Sequence, residues 1–327
     1  MPNSDAAAWP WVRARLLARR RRQEGPETQA DAVVRIAVVT DSAAALPADW
    51  AAGLGSDGRL TVIPMPVMVG DEIYGEGEDD ISETIALALA SGTSVKTSRP
   101  SPGQFEQAYL AAQRRGFEAV VSVHISGSLS GTADAARLAA GRVGIPVEVV
   151  DSGTVGMALG MAVQEAARVA GEGGEAAAVA AAAAGQAART KVYFYVPSLE
   201  QLRRGGRIGA AASLWGTMLA IKPILGVDGG RIVPLEKVRS AVRAVARLEE
   251  IVAADVSART ASGGVRLAVH HFGNPQEAEG LAKRLAAALP QCPSAQISSL
   301  PAVLAAHAGL GVLAVIVGDN LAVDAAG

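Results

Sequence analysis

The chain has 327 residues, enough for one large or two medium domains and a sizeable core. Its formal net charge of −2 gives no global attraction to nucleic acid, and an aromatic content of 4% leaves little for base-stacking platforms. The lone Cys292 excludes a disulfide framework and a CxxC zinc site, and fits a reducing cytoplasm.

Residues 1–33 carry Trp9, Trp11, Leu16 and Leu17 among Arg13, Arg15, Arg19, Arg20, Arg21 and Arg22. No apolar core follows the arginines, so the segment is not a secretory signal. It is expected to be a disordered basic tail. The alternative is a basic amphipathic segment in transient contact with anionic lipid.

Residues 35–40 (RIAVVT) form an apolar run that stops at Asp41-Ser42 and Pro47, which predicts a buried strand, a polar loop and a helix. Residues 60–69 predict a single extended segment, kept to a sheet edge by Pro64 and Pro66. A helix is expected over 81–90, after the acidic Glu76, Glu78, Asp79 and Asp80. Residues 95–102 (VKTSRPSP) predict a loop, with Pro102 opening a helix over 103–115.

The β-branched run Val120, Val121, Val123, Ile125 then stops at Ser126-Gly127-Ser128-Leu129-Ser130-Gly131-Thr132, and helix formers follow. A helix N-terminus has unpaired N–H groups and partial positive charge, and small residues admit a close ligand. A further strand, 147–150, ends in Asp151-Ser152-Gly153-Thr154. Three strands thus end in hydroxyl-bearing loops. Strands alternating with helices imply a parallel sheet, which takes ligands beyond the carboxyl ends of its strands.

Helices are predicted over 157–168 and 176–189, and the chain then changes style. Residues 192–196 read as a strand, Ser198 caps a short helix, and 203–207 (RRGGR) is a basic glycine turn. Val227-Asp228-Gly229-Gly230 is a hairpin signature between 221–226 and 231–235. A helix over 240–257, strands near 265–270, 295–299 and 313–317, and a helix over 276–289 complete an α+β region. Residues 300–318 lack charge apart from His307 and are long enough to span a bilayer, but Pro301, Gly309 and Gly311 argue against one helix.

No GxxxxGK[ST] loop is present, so there is no P-loop nucleotide site. A serine-hydrolase elbow fails because Leu129 occupies the middle of Gly127–Gly131. His270 and His271 cannot both face one site, because adjacent strand side chains point oppositely. Thr97, Ser98, Ser126, Ser128 and Thr132 supply hydroxyls, and Arg207, Lys222 and Arg239 supply cations, an inventory suited to holding a carboxylate or phosphate. A Ser126–His271–Asp151 esterase triad is the competing reading.

These motifs, taken in order, resemble the DegV family of bacterial fatty-acid-binding proteins. They are VVTDSAAALP (38–47), KTSRPSPGQF (96–105), ISGSLSGTADAA (125–136), VVDSGTVGMALG (149–160), SLEQLRRGGRIG (198–209), IKPILGVDGGRI (221–232) and HHFGNPQEAE (270–279). The resemblance implies a two-domain α/β fold: a parallel-sheet N-terminal domain over 34–160, and an α+β domain with a mixed sheet over 161–320. A long-chain fatty acid is held between them. It further implies a cytoplasmic acyl-binding subunit, not an enzyme and without cofactor or metal, that offers the carboxylate to a separate ATP-dependent fatty acid kinase subunit for phospholipid synthesis. A lipid-sensing regulator without a kinase is the other reading.

By the resemblance, Thr97 matches the family's hydroxyl donor to the carboxylate, and the Ser126–Gly127 step matches its second carboxylate-binding segment. Many relatives have two serines there, whereas Gly127 offers only its N–H. Ser98 and Ser128 stand beside these positions. His271 matches a histidine near the carboxylate, and Arg207 an arginine at the pocket mouth and the kinase contact. Relatives often read HTGPG where this chain has HAGLG over 307–311, so no ligand role is expected for that loop.

Overall fold

The computed structural model describes residues 35–75, 81–214, 221–259 and 264–320. The expectations for the N-terminal tail and for the acidic residues 76–80 lie outside them.

Two strands anchor the first sheet, β1 (Ile36–Asp41) and β6 (Ala119–His124), and every residue of both is buried. Strands covered on both faces read as continuous apolar runs, which is how they appear in the sequence. With β2 (Leu60–Ile63) and β7 (Val147–Asp151) they form a parallel sheet of order β2-β1-β6-β7. Helix α1 (Ala48–Gly55) connects β1 to β2.

Residues 60–69 are not one strand. The chain breaks at Ile63-Pro64-Met65-Pro66, and β3 (Pro66–Val69) pairs elsewhere, with β4 (Glu72–Gly75) and β5 (Val95–Thr97). Pro64 has no N–H to continue the ladder, and Pro66 is tolerated as the first residue of the new strand. The predicted loop at 95–102 accordingly begins as a strand, with Thr97 opposite Val67. Helix α2 (Ser82–Ser91) packs on this small sheet. Helix α3 (Pro102–Arg114) opens with Pro102 and a capping box, in which Ser101 and Gln104 each bond the other's backbone.

The second sheet is mixed, of order β10-β9-β8-β13-β11-β12. Its strands are β8 (Lys191–Tyr195), β9 (Lys222–Asp228), β10 (Arg231–Val238), β11 (Val265–His271), β12 (Gln296–Ser299) and β13 (Leu313–Asp319). Only β11 and β12 pair in parallel. Gly229 and Gly230, at φ 53° and 78°, make the β9–β10 turn. A two-residue hairpin loop with both φ positive matches strand twist, and glycine adopts it without strain.

Helices α5 (Met157–Gly171) and α6 (Ala176–Arg189) pack against both sheets, touching β6 and β13 alike. Alternate strand residues show the layering. In β1, Ile36 and Val38 face α5, while Ala37 and Val39 face α3 and helix α4 (Thr132–Ala140). In β13, Ala314 and Ile316 face inward, while Leu313, Val315 and Val317 face helices α8 (Ala241–Ala258) and α9 (Pro275–Ala288). The order is helix, sheet, helix, sheet, helix. Small residues let α5 come close: a Cβ on Gly160 would collide with the Ala44 carbonyl. The apolar 300–318 stretch divides into a short helix α10 (Ala302–Ala308) and β13, and no described helix is long and apolar enough to cross a membrane.

A buried polar chain crosses the first sheet. The Asp41 carboxylate accepts the backbone N–H groups of Ala43 and Ile125 and bonds His124 Nδ1 at 2.9 Å. With a neutral imidazole, His124 Nε2 accepts from Ser122 (2.6 Å), which accepts from Tyr109 (2.8 Å). Burial raises the Tyr109 phenol to about 12, so it stays a donor. Asp41→Ala strands two N–H groups and an imidazole in the core and is expected to cost about 3–5 kcal/mol. Tyr109→Phe is expected to cost about 1 kcal/mol. Urea unfolding measures both, and an Asp41→Ala loss no larger than that of Tyr109→Phe would show that the carboxylate is not the anchor.

Candidate functional site

Beyond the carboxyl ends of β1, β6 and β7, helix α5 leaves part of the inner face of the second sheet uncovered. A cavity of about 320 Å³ lies there. Such a volume lies at the lower end of the range for small-molecule sites. Val192, Phe194, Ala314 and Ile316 of the sheet supply one wall, and Leu300 and Val303 another. Ile125, Leu129, Ser130 and Gly131 enter from the loop after β6, and Val155 and Gly156 from the loop after β7. No Asp or Glu is among the described residues that line the cavity.

Among the described lining residues, the polar groups other than His270 lie around Thr97, His307 and Arg207. Thr97, the last residue of β5, bonds His307 of α10, Oγ1 to Nε2, at 2.7 Å. Burial, and then the nearby Arg207 guanidinium, lower the His307 pKa to about 4, so the ring is neutral at physiological pH. Arg207 follows the short helix α7 (Glu200–Arg204). Its Nε donates to Leu129 O at 3.0 Å and Nη1 to Gly205 O at 2.6 Å, tying the basic turn to the loop after β6. Exposed Ser98 and Arg99 complete this end.

Of the residues expected from sequence, Thr97, Ser98 and Arg207 share the cavity wall. Ser126, Gly127, Ser128 and His271 are not among the residues that line it. The Ser126 hydroxyl donates to Gly230 O at 2.7 Å, fastening the loop to the β9–β10 turn. Gly127 N–H donates to Asp151 Oδ1 at 3.0 Å, and Ser128 is exposed. His271 lies on the face of Val265, Leu267 and Val269, toward α9; burial lowers its pKa, and the Glu279 carboxylate opposes that shift.

The esterase arrangement is therefore not assembled, since Ser126 serves a carbonyl rather than an imidazole. A Ser–His–Asp chain does exist in Ser122, His124 and Asp41, but all three are fully buried, out of reach of substrate.

Two histidines at the cavity were not anticipated. His307 lies in the HAGLG segment, for which no ligand role was expected, yet it is the partner of Thr97. His270, not His271, faces the cavity. The strand's own alternation carried that signal: Val265, Leu267 and Val269 make the apolar face, which leaves Arg266, Ala268 and His270 on the other. His270 Nε2 accepts the Met157 N–H at the start of α5 (3.0 Å), and Nδ1 donates to Ser298 Oγ (2.9 Å). It thereby joins the second sheet to the helix packed on the first.

Fold and site define an α/β protein enclosing an apolar cavity with one polar end. The chain belongs to the DegV family. A sequence model of that family, described as uncharacterised proteins, matches residues 35–319. A DegV domain-containing protein of Streptomyces coelicolor is 45% identical over 285 residues, spanning 87% of this chain and 99% of that one. A Thermus thermophilus structure described as fatty acid binding of a DegV family protein superposes with TM-score 0.80 at 32% identity, covering 88% of this chain and all of that one. The Bacillus subtilis structure described as DegV, a fatty acid binding protein, superposes with TM-score 0.77 at 29% identity and the same coverage of this chain.

Burial lowers the His270 pKa from 6.5 to about 4, so the folded protein binds fewer protons than the unfolded chain in that window. The stability that neutral His270 contributes is complete above pH 6.5 and lost as pH falls toward 4. Its full size is on the order of 3 kcal/mol. In His270→Gln the fall in urea-unfolding free energy between about pH 7 and pH 4.5 should be smaller by roughly 2 kcal/mol. Equal falls in the two proteins would remove His270 as a contributor.

Proposed function

We propose that this protein binds one long-chain fatty acid, its tail in the apolar cavity and its carboxylate at the Thr97–His307 pair, and presents that carboxylate to a separate ATP-dependent kinase subunit. The observation that carries the reading is the cavity's asymmetry: mainly aliphatic walls, a polar group around Thr97, His307 and Arg207, and no carboxylate among the described lining residues. Burying a palmitate-length tail at about 0.8 kcal/mol per methylene provides roughly 10 kcal/mol before ordering costs. The DegV structures from Thermus thermophilus and Bacillus subtilis, described as fatty acid binding, support the same ligand class.

At the polar end, neutral His307 holds Thr97. With the ring proton on Nε2, His307 donates to Thr97 Oγ1, and the threonine hydroxyl is free to donate to an incoming carboxylate. Arg207 holds the loop that carries Ser130 and Gly131 and adds positive potential. Phosphoryl transfer needs a nucleotide cradle and metal-binding carboxylates. No group of His, Cys, Asp and Glu suited to a metal occurs among the described residues, and the sequence has no P-loop. On this reading the phosphoryl donor and its metal belong to the partner, and the chain acts in a reducing cytoplasm as a carrier.

Native mass spectrometry of the purified chain is expected to show one co-purifying long-chain fatty acid, and protein that binds no fatty acid in a thermal-shift screen would overturn the assignment. Thr97→Val keeps the shape and removes the hydroxyl, and is expected to weaken fatty-acid binding about tenfold with the melting temperature of the unliganded protein unchanged. Unchanged affinity would take Thr97 out of the site.

A further inference from the structure

A second cavity, of about 270 Å³, lies on the other side of the Thr97–His307 pair. Thr97, Arg207 and His307 line both cavities and form the partition between them. The two chambers differ in chemistry. The inner one is walled mainly by aliphatic side chains, with Ser98, Arg99, Ser130 and His270 also bordering it. Among the described residues, the outer one is lined beyond the partition by Thr93, Ser94, Lys96, Gln201 and Arg204, with Val95 the one apolar side chain.

Among the described residues, the outer chamber carries three cations, Lys96, Arg204 and Arg207, and no Asp or Glu. Arg204 is paired with Glu200 on the same helix, and Arg207 spends Nε and Nη1 on carbonyls, leaving Nη2. Lys96 and Arg204 are exposed and reach solvent. Three cations and several neutral donors exceed what a single carboxylate needs, since the Thr97 hydroxyl and neighbouring N–H groups satisfy that. They suit a phosphoryl group, which brings close to two negative charges and three acceptor oxygens.

We infer that the outer chamber is a phosphoryl site, which holds the phosphoryl group of a fatty acyl phosphate while its tail stays in the inner cavity. The inference rests on the proposed fatty-acid reading and adds where the product's head is kept. A carboxylate oxygen at the partition forms the new O–P bond. The bond from that phosphorus to the leaving diphosphate of an ATP-class donor breaks, and the diphosphate departs with its electron pair. No proton is exchanged. The new phosphoryl group then projects from the partition into the chamber whose walls carry Lys96 and Arg204.

The test compares palmitate with hexadecyl phosphate, a stable ligand of similar tail length whose phosphorus is joined to the head carbon through one oxygen, as in an acyl phosphate. Affinities are measured on the delipidated full chain and on Lys96→Gln/Arg204→Gln. Both side chains are exposed, and an unchanged melting temperature confirms an intact fold. The double variant is expected to lose about tenfold or more in hexadecyl phosphate affinity and less than about twofold in palmitate affinity. Equal losses for both ligands, or no loss for either, would overturn the phosphoryl site. Wild-type protein that binds palmitate but not hexadecyl phosphate overturns this inference alone, whereas failure to bind palmitate removes the fatty-acid reading and this inference with it. Inorganic phosphate that binds the palmitate-loaded protein as tightly as hexadecyl phosphate binds the delipidated one would assign the chamber to a free anion and overturn the acyl-linked form.

Discussion

Asp41 stands where the central strands of the parallel sheet end, and its carboxylate sets where the chain goes next. One oxygen receives the Ala43 N–H and starts the turn after β1, while the other receives the Ile125 N–H and the His124 imidazole. The ends of β1 and β6 are thereby held to each other, and further backbone bonds build on that. Gly156 N–H donates to Ala43 O, and Ser126 N–H to Thr154 O, so all three parallel strand ends are joined. Helix α5 starts from this junction, and His270 reaches from the second sheet to take the first N–H of the helix. Removing a buried carboxylate strands every donor it served, so the junction depends on one side chain more than on any single apolar contact.

The hydroxyl-rich loop after β6 has its polarity spent mainly on itself and its neighbours. Ser126 holds the β9–β10 turn, Gly127 holds Asp151, and Ser130 bonds Thr132. Buried polar groups must be paired, and in this loop the pairs are internal to the protein. The polar end of the cavity is assembled instead from segments far apart in sequence: β5, the turn after α7, and α10. Thr97 and His307 are 210 positions apart. The loop contributes shape and backbone; the distant segments contribute the hydroxyl, the imidazole and the guanidinium.

That division explains what was legible beforehand. The buried strands β1 and β6, the two central helices, the hairpin at Val227-Asp228-Gly229-Gly230 and the Pro102 helix start all follow from local patterns of apolar residues, glycine and proline. Thr97, Ser98 and Arg207 were legible through family resemblance. The split of 60–69 between two sheets was not, because periodicity does not say which sheet a short strand joins. Nor was the pairing of Thr97 with His307, because α10 carries no local mark of its partner. The place of His270 at the cavity wall is legible in the strand's alternation, which puts it opposite the apolar face of Val265, Leu267 and Val269.

On the proposed reading, the placement of neutral and charged donors has a chemical sense. A carboxylate paired tightly to a guanidinium is well stabilised and correspondingly less nucleophilic. Burial and Arg207 together keep His307 uncharged, so Thr97 and His307 hold the head group through neutral hydrogen bonds. Of the cations, Lys96 and Arg204 stand beyond the partition, on the side where charge accumulates when a phosphoryl group arrives, while Arg99 and Arg207 border the inner cavity. Charge-assisted bonds that strengthen as reaction proceeds favour the transition state over the bound acid. Were Lys96 or Arg204 inside the inner chamber, the same attraction would be exhausted on the resting carboxylate. Lys96 and Arg204, which line the outer chamber and not the inner one, keep their attraction for the step at which the second charge appears.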